Sequence, residues 1–168
     1  MNTENYLESV QASFQLLDSY KRFPDDTEFE KEIISKDVYN FRSRNYLLSK
    51  LENFKRKEFV NVDEYTIEHI LPQNQNLSEE WQNMLGEEWQ DIQKKYLHTL
   101  GNLTLTGYNS EMSDHSFARK KCIEGGFDDS PLRLNTYLRT ASQWTPLEIG
   151  ERAGELSQKA TLIWDSPK

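Results

Sequence analysis

Two short runs of strand-forming residues constrain this fold most, because the rest of the chain has the periodicity of helices. The first run reads DEYTIEHILP, and its β-branched and aromatic residues predict a strand that ends near His69. The second reads LGNLTLTGYN, and its spacing of Leu103 and Leu105 predicts a short strand or hairpin arm. Together the two runs predict a small two-stranded element at the centre of the chain.

Helical segments are predicted on both sides of this element. Apolar residues recur at helical spacing in a lead-in over residues 1–60 and in a tail over residues 131–164. The clearest helix follows Thr145, which is followed by the Pro-Leu-Glu sequence of a capping box. We therefore predict one α+β domain over residues 1–168, mostly helical, with a strand–loop–strand–helix core at about residues 63–124.

Composition indicates a folded protein and excludes several classes of function. Hydrophobic residues make up 36% of the 168 residues and aromatic residues 12%, which is more than disordered chains contain. The net charge of −8 excludes a global basic field, so contact with DNA would need a local basic patch or another domain. The single cysteine excludes an intramolecular disulfide and a cysteine-based zinc site. The sequence has neither a signal peptide nor an apolar run that could span a bilayer, which predicts a cytoplasmic protein with no membrane partner.

Four polar residues of the central unit are of the types that metal-assisted hydrolysis of a phosphodiester requires. His69, at a strand end, can be fixed through one ring nitrogen while the other takes a proton from water. Glu68 and Asn109 supply a carboxylate and an amide oxygen, which are hard ligands suited to Mg²⁺ or Mn²⁺. Asn102 offers both a donor and an acceptor, so it can clamp the loop that carries the histidine.

Further charged residues follow in the helix that Asn109 is predicted to open. A basic turn of this helix can neutralise phosphate charge in the transition state, and its cations are Arg119, Lys120 and Lys121. Asp114 and His115 precede that turn and could also reach the metal or the substrate. Taken singly these signals are weak, because a Glu-His pair is more often structural and asparagines are by default turn or cap residues. His98, just before the second strand, is expected to be structural.

The order and spacing of these residues resemble a known nuclease motif. EHILPQ, followed by LGNLTLTGYNSEMSDHSFARKK, resembles the HNH motif of the His-Me finger, or ββα-metal, superfamily. The chain is more closely similar to the C-terminal nuclease domain of GmrSD-type, modification-dependent restriction enzymes. This similarity extends to the helix FRSRNYLLSKLENF before the motif and to the tail that ends in Ile-Trp.

The resemblance implies a function and a role for each matched residue. His69 corresponds to the general base, Glu68 and Asn109 to the metal ligands, and Asn102 to the asparagine that holds the loop. Either Lys120 or Lys121 corresponds to the basic residue of the closing helix. The implied fold is a ββα-metal element surrounded by helices. The implied activity is that of a Mg²⁺- or Mn²⁺-dependent DNA endonuclease, the effector domain of a restriction or phage-defence system.

The resemblance also implies partners. In the family a nucleotide-hydrolysing domain senses DNA modification and licenses cutting, and this chain contains no phosphate-binding loop of its own. A sensor domain or partner is therefore expected, and a homodimer would be the simplest route to a double-strand cut.

Three other functions fit parts of the sequence. A non-catalytic DNA- or protein-binding module of the same fold would lack a metal site. A helical interaction domain would use Glu68 and His69 as a buried ion pair and would place Asn109 far from His69. A nuclease of the same motif could act on RNA, because recognition of the 2′-hydroxyl leaves no signal in this sequence.

Overall fold

A computed structural model describes residues 5–18 and 22–165 and shows an α+β fold that is mostly helical, as the sequence predicts. Residues 1–4 and 19–21 of the predicted lead-in, and residues 166–168, lie outside the described part. In chain order the elements are α1 (Tyr6–Gln15), α2 (Asp26–Ser35), α3 (Arg44–Asn53), β1 (Thr66–His69), α4 (Glu79–Leu85), α5 (Trp89–Tyr96), β2 (Leu103–Thr106), α6 (Asn109–Met112), α7 (Phe117–Cys122), α8 (Thr136–Thr140) and α9 (Pro146–Ile163).

The two predicted strands pair with each other. β1 and β2 are antiparallel, and their register places Thr66 opposite Thr106 and His69 opposite Leu103. The last residue of β1 therefore lies beside the first residue of β2. A single turn of 3₁₀ helix, Leu100–Asn102, leads directly into β2, so Asn102 lies next to the chain that leaves His69.

The helical segment after β2 differs from the prediction, because it consists of two short helices instead of one. Asn109 opens α6, but the three cations lie on the separate helix α7. The break falls at Ser113, whose φ of 41° is outside the range of a right-handed helix. Phe117 begins α7 and is fully buried, so the turn between the helices directs this ring into the core.

Helix α9 begins where the sequence predicts. The side chain of Thr145 accepts a hydrogen bond from the backbone of Leu147, and Glu148 accepts one from the backbone N–H of Thr145. The helix packs against the 3₁₀ turn that precedes β2. A Cβ atom on Gly101 would lie 2.3 Å from the backbone oxygen of Ile149, so only glycine permits this approach.

Two groups of buried side chains form the core. One joins the lead-in helices to β2 and the C-terminal half of α9, with Val38, Leu48 and Leu103 at its centre. The other packs α4, α7 and α8 under the loop that follows β1, around Trp81 and Trp144. The sheet and this loop are thus supported on both sides. No helix in the described ranges is both long and apolar enough to cross a membrane.

Candidate active site

The end of β1 faces an open cleft with a volume of about 350 Å³. The strand, the loop after it, the turn before α3 and the start of α6 all contribute to its walls. Residues that line it include Tyr39, Glu68, His69, Asn74, Asn109 and Asp114. Four of the residues singled out in the sequence therefore meet in one place, although up to 46 positions separate them in the chain.

His69 is nearly buried and is held through one ring nitrogen. Its Nε2 lies 3.1 Å from Nδ1 of His98, and the ring of Tyr39 packs edge-on against it at a centroid distance of 4.5 Å. Burial, with the nearby His98 and Lys120, lowers the pKa of His69 from 6.5 to about 3. The imidazole is therefore neutral at neutral pH, which is the form that accepts a proton.

Glu68 is buried and forms an ion pair with Lys120. The distance from Lys120 Nζ to Glu68 Oε1 is 2.5 Å, and the same ammonium donates to the backbone oxygens of His69 and Ile70. Burial raises the pKa of Glu68 and lowers the pKa of Lys120, while their mutual attraction acts in the opposite direction. Lys120 is thus enclosed behind the strand, where it fixes the carboxylate and the backbone around His69.

Asn102 is fully buried and lies under the loop instead of lining the cleft. Its Oδ1 accepts hydrogen bonds from the backbone N–H of Leu71 and from Nε1 of Trp144, at 2.8 and 3.0 Å. Its Nδ2 donates to the backbone oxygens of Leu71 and Leu97. Donor and acceptor are both used, and together they tie the chain after His69 to β2 and to the segment before α9.

Asn109 projects from the start of α6 back onto β1. Its Nδ2 donates to the backbone oxygen of Ile67 at 3.0 Å, which fixes the amide beside Glu68. Asp114 also lines the cleft, and a hydrogen bond from Asn74 at 2.7 Å lowers the pKa of its carboxyl group. The cleft is thus bordered by amide and carboxylate oxygens.

Five of the predicted residues do not line the cleft: Asn102 and Lys120, which are buried, and Lys121, His115 and Arg119. Lys121 donates to the backbone oxygens of Arg139 and Ala141 at the end of α8. His115 and Arg119 are exposed to solvent. The basic turn of α7 therefore does not present its charges to the cleft as one group, because neighbouring positions on a helix point in different directions.

The structure also adds residues that the sequence did not indicate. Tyr39 and Asn74 line the cleft, and His98 contacts His69 from outside the motif. Tyr39 lies in the turn before α3, within the lead-in that helical spacing predicted over residues 1–60. No local signal could identify these residues, since each reaches the site through tertiary packing.

The geometry contradicts the interpretation of Glu68 and His69 as a buried ion pair with each other. The partner of Glu68 is Lys120, and Asn109 lines the same cleft as His69. Lys120 itself is fully buried, so it contacts Glu68 and the strand backbone instead of facing a phosphate in the cleft.

The donor set suits a hard divalent cation that keeps part of its hydration shell. Within the described ranges, no three His, Cys, Asp or Glu side chains are grouped to hold a metal ion. Mg²⁺, however, is usually held by one or two protein oxygens, with waters and substrate phosphates completing its shell. Glu68 keeps its second oxygen, Oε2, and Asn109 keeps Oδ1, because their hydrogen bonds to Lys120 and Ile67 use the other atoms.

A comparison with protein families identifies the chain. Residues 23–159 match the model of the GmrSD restriction endonucleases, C-terminal domain. The chain belongs to this family. Membership in the GmrSD C-terminal family implies nuclease activity in general, and restriction endonucleases act on DNA and typically use divalent metal ions. A comparison with curated proteins found no match to the sequence.

Proposed function

We propose that this chain is a metal-dependent DNA endonuclease of the HNH type, in which His69 acts as the general base. The observation that carries the proposal is the meeting of a neutral, oriented imidazole with the oxygens of Glu68 and Asn109 in one open cleft. β1, β2 and the helices after them would then serve as a ββα-metal element. A binding module of the same fold would not require this combination.

Glu68 and Asn109 would hold the cation, since each keeps an oxygen free of other hydrogen bonds to described residues. A bound Mg²⁺ or Mn²⁺ would polarise the scissile phosphate and stabilise the leaving oxygen. Asp114 lies in the same cleft and would contact the cation or the substrate.

His69 would take a proton from the water that attacks phosphorus. Burial keeps the imidazole neutral but also weakens its affinity for a proton. A phosphodiester in the cleft brings negative charge close to the ring, which raises that affinity in the complex. The base would therefore become effective when substrate is bound.

Asn102 and Lys120 would act by positioning. Asn102 holds the loop after His69 through two hydrogen bonds to the backbone of Leu71 and is itself held by Leu97 and Trp144. Lys120 holds Glu68 and the backbone of His69. The exposed residues His115 and Arg119 would contribute at most to the approach of DNA, as would Lys121, whose ammonium contacts the end of α8.

We further propose that the nuclease is the effector part of a restriction system. A nucleotide-hydrolysing sensor would supply recognition of modified DNA, and two copies of this chain would produce a double-strand cut. The net charge of −8 is consistent with a nuclease that depends on a partner for tight binding.

The decisive experiment compares wild type with His69→Ala on supercoiled plasmid in Mg²⁺, Mn²⁺ or EDTA. We expect metal-dependent nicking by wild type and a loss of roughly 10²-fold or more in the variant, as for other general bases. His115→Ala is the matched control, since it removes an exposed imidazole that does not line the cleft. Equal rates for wild type and His69→Ala, or no nicking by wild type in either metal, would contradict the proposal.

A further inference from the structure

A second histidine, His98, lies within hydrogen-bonding distance of the His69 ring. Nε2 of His69 and Nδ1 of His98 are 3.1 Å apart, which is the distance of an N–H···N hydrogen bond. One of the two nitrogens must therefore carry the proton and the other must accept it. The ring planes lie at 69° to each other with centroids 5.2 Å apart, so the rings meet edge-on.

The lead-in segment fixes the position of His98. The backbone oxygen of His98 accepts hydrogen bonds from the N–H groups of Val38 and Tyr39, at 2.8 and 3.3 Å. The Tyr39 ring stacks on the His98 ring with an interplanar angle of 12° and also packs against His69. Both the main chain and the ring of His98 are thus held by the turn before α3.

This arrangement leaves only one nitrogen of His69 for chemistry. Because Nε2 faces His98, Nδ1 is the atom that can take a proton from water. Nδ1 can do so only if the proton of the neutral ring resides on Nε2, and His98 must then be the acceptor. The reverse tautomer would place a proton on Nδ1 and block the base.

We propose that His98 is a positioning residue that accepts the Nε2 proton of His69 and so keeps Nδ1 of His69 free to act as the base. The inference rests on the proposed nuclease function. It assigns to His98 the task that a backbone carbonyl or a carboxylate performs for many catalytic and metal-bound histidines. The lead-in turn thereby becomes part of the catalytic apparatus, since it holds the acceptor.

Two substitutions separate hydrogen bonding from ring packing. His98→Asn places an acceptor oxygen on Cγ, where the imidazole carries Nδ1, but removes the ring. His98→Phe keeps an aromatic ring against Tyr39 and has no acceptor. We expect His98→Phe to lower kcat for plasmid nicking roughly 10- to 100-fold and His98→Asn to retain most of it. Equal kcat for wild type and His98→Phe, or an Asn variant as slow as the folded Phe variant, would overturn the inference.

A measurement on the metal-free protein tests the tautomer without relying on cleavage. The chain contains three histidines, so His69→Ala and His115→Ala assign the ring ¹⁵N signals of labelled protein. We expect the proton of His69 on Nε2 in wild type and in His98→Asn, and a mixture of tautomers in His98→Phe. A proton on Nδ1 of His69 in wild type would overturn the inference even if the protein cuts DNA. The expected tautomer in a protein that never nicks DNA would contradict the nuclease function instead.

Discussion

At the scale of single residues, Lys120 and Lys121 show how adjacent cations acquire different tasks. Lys120 is fully buried against Glu68, whereas Lys121 extends to the end of α8, where it meets backbone oxygens. A buried ion pair is costly to break, because removing one partner leaves the other charge without compensation. Removing an ammonium that is in contact with water costs much less stability, because water solvates the partner that remains.

We expect Lys120→Met to lower the free energy of unfolding by about 3–5 kcal/mol, because it leaves the Glu68 carboxylate and two backbone oxygens without their donor. The matched control Lys121→Met should cost about 1 kcal/mol or less, since its side chain is partly exposed. Urea unfolding of both variants measures the difference. Similar losses in both would show that Glu68 does not depend on Lys120.

At the scale of elements, the contact between α9 and the 3₁₀ turn before β2 holds Asn102 in place. The guanidinium of Arg152 on α9 donates to the backbone oxygens of Leu100 and Gly101. The approach is close enough that only a residue without a Cβ fits at position 101. This contact positions the start of β2 and, through Asn102, the loop after His69.

We expect Gly101→Ala to destabilise the protein by about 2–3 kcal/mol or more, since its methyl group would collide with the backbone of Ile149. The matched control is Gly150→Ala in α9, where an added Cβ meets no atom within 4 Å. This control should stabilise the protein by up to about 1 kcal/mol, because alanine favours a helix interior. Thermal unfolding of the pair provides the measurement, and two variants of equal stability would exclude the close packing.

Local signals explain which elements the sequence could predict. The predicted N-terminus of α9 was confirmed, and it was predictable because a capping box and a proline lie within one turn of each other. The two predicted strands were also confirmed, and the β-branched residues in each run are the signal that made them predictable. The expectation that Asn109 opens the helix of the three cations was wrong, since the backbone of Ser113 departs from helical geometry and ends α6 at Met112.

At the scale of the whole molecule, the negative charge opposes the approach of DNA. With 28 acidic and 20 basic residues, the chain would repel a polyanion at distances beyond direct contact. Several basic residues are already engaged within the protein: Arg56 pairs with Glu52, and Arg44 donates to the backbone of Tyr39. A cation held by such contacts is less available to a phosphate.

We expect the isolated chain to bind duplex DNA weakly, with a Kd no tighter than about 10⁻⁶ M at physiological salt. Because few counterions would be released, the plot of log affinity against log salt concentration should be shallow. Fluorescence anisotropy in Ca²⁺, with His69→Ala to prevent cutting, measures both quantities. Nanomolar affinity with a steep salt dependence would reveal a basic DNA-binding face and remove the need for a partner.

The sequence by itself determined the types of the central elements, the start of the last helix and the order of Glu68, His69, Asn102 and Asn109. These features depend on neighbours along the chain, so periodicity, capping residues and motif spacing are sufficient to predict them. Only the tertiary structure decided that Lys120, and not Lys121, meets Glu68, and that His98 and Tyr39 surround His69. Those contacts join residues 29 to 52 positions apart. They arise from the register of two strands and the packing of helices, for which the local sequence carries no signal.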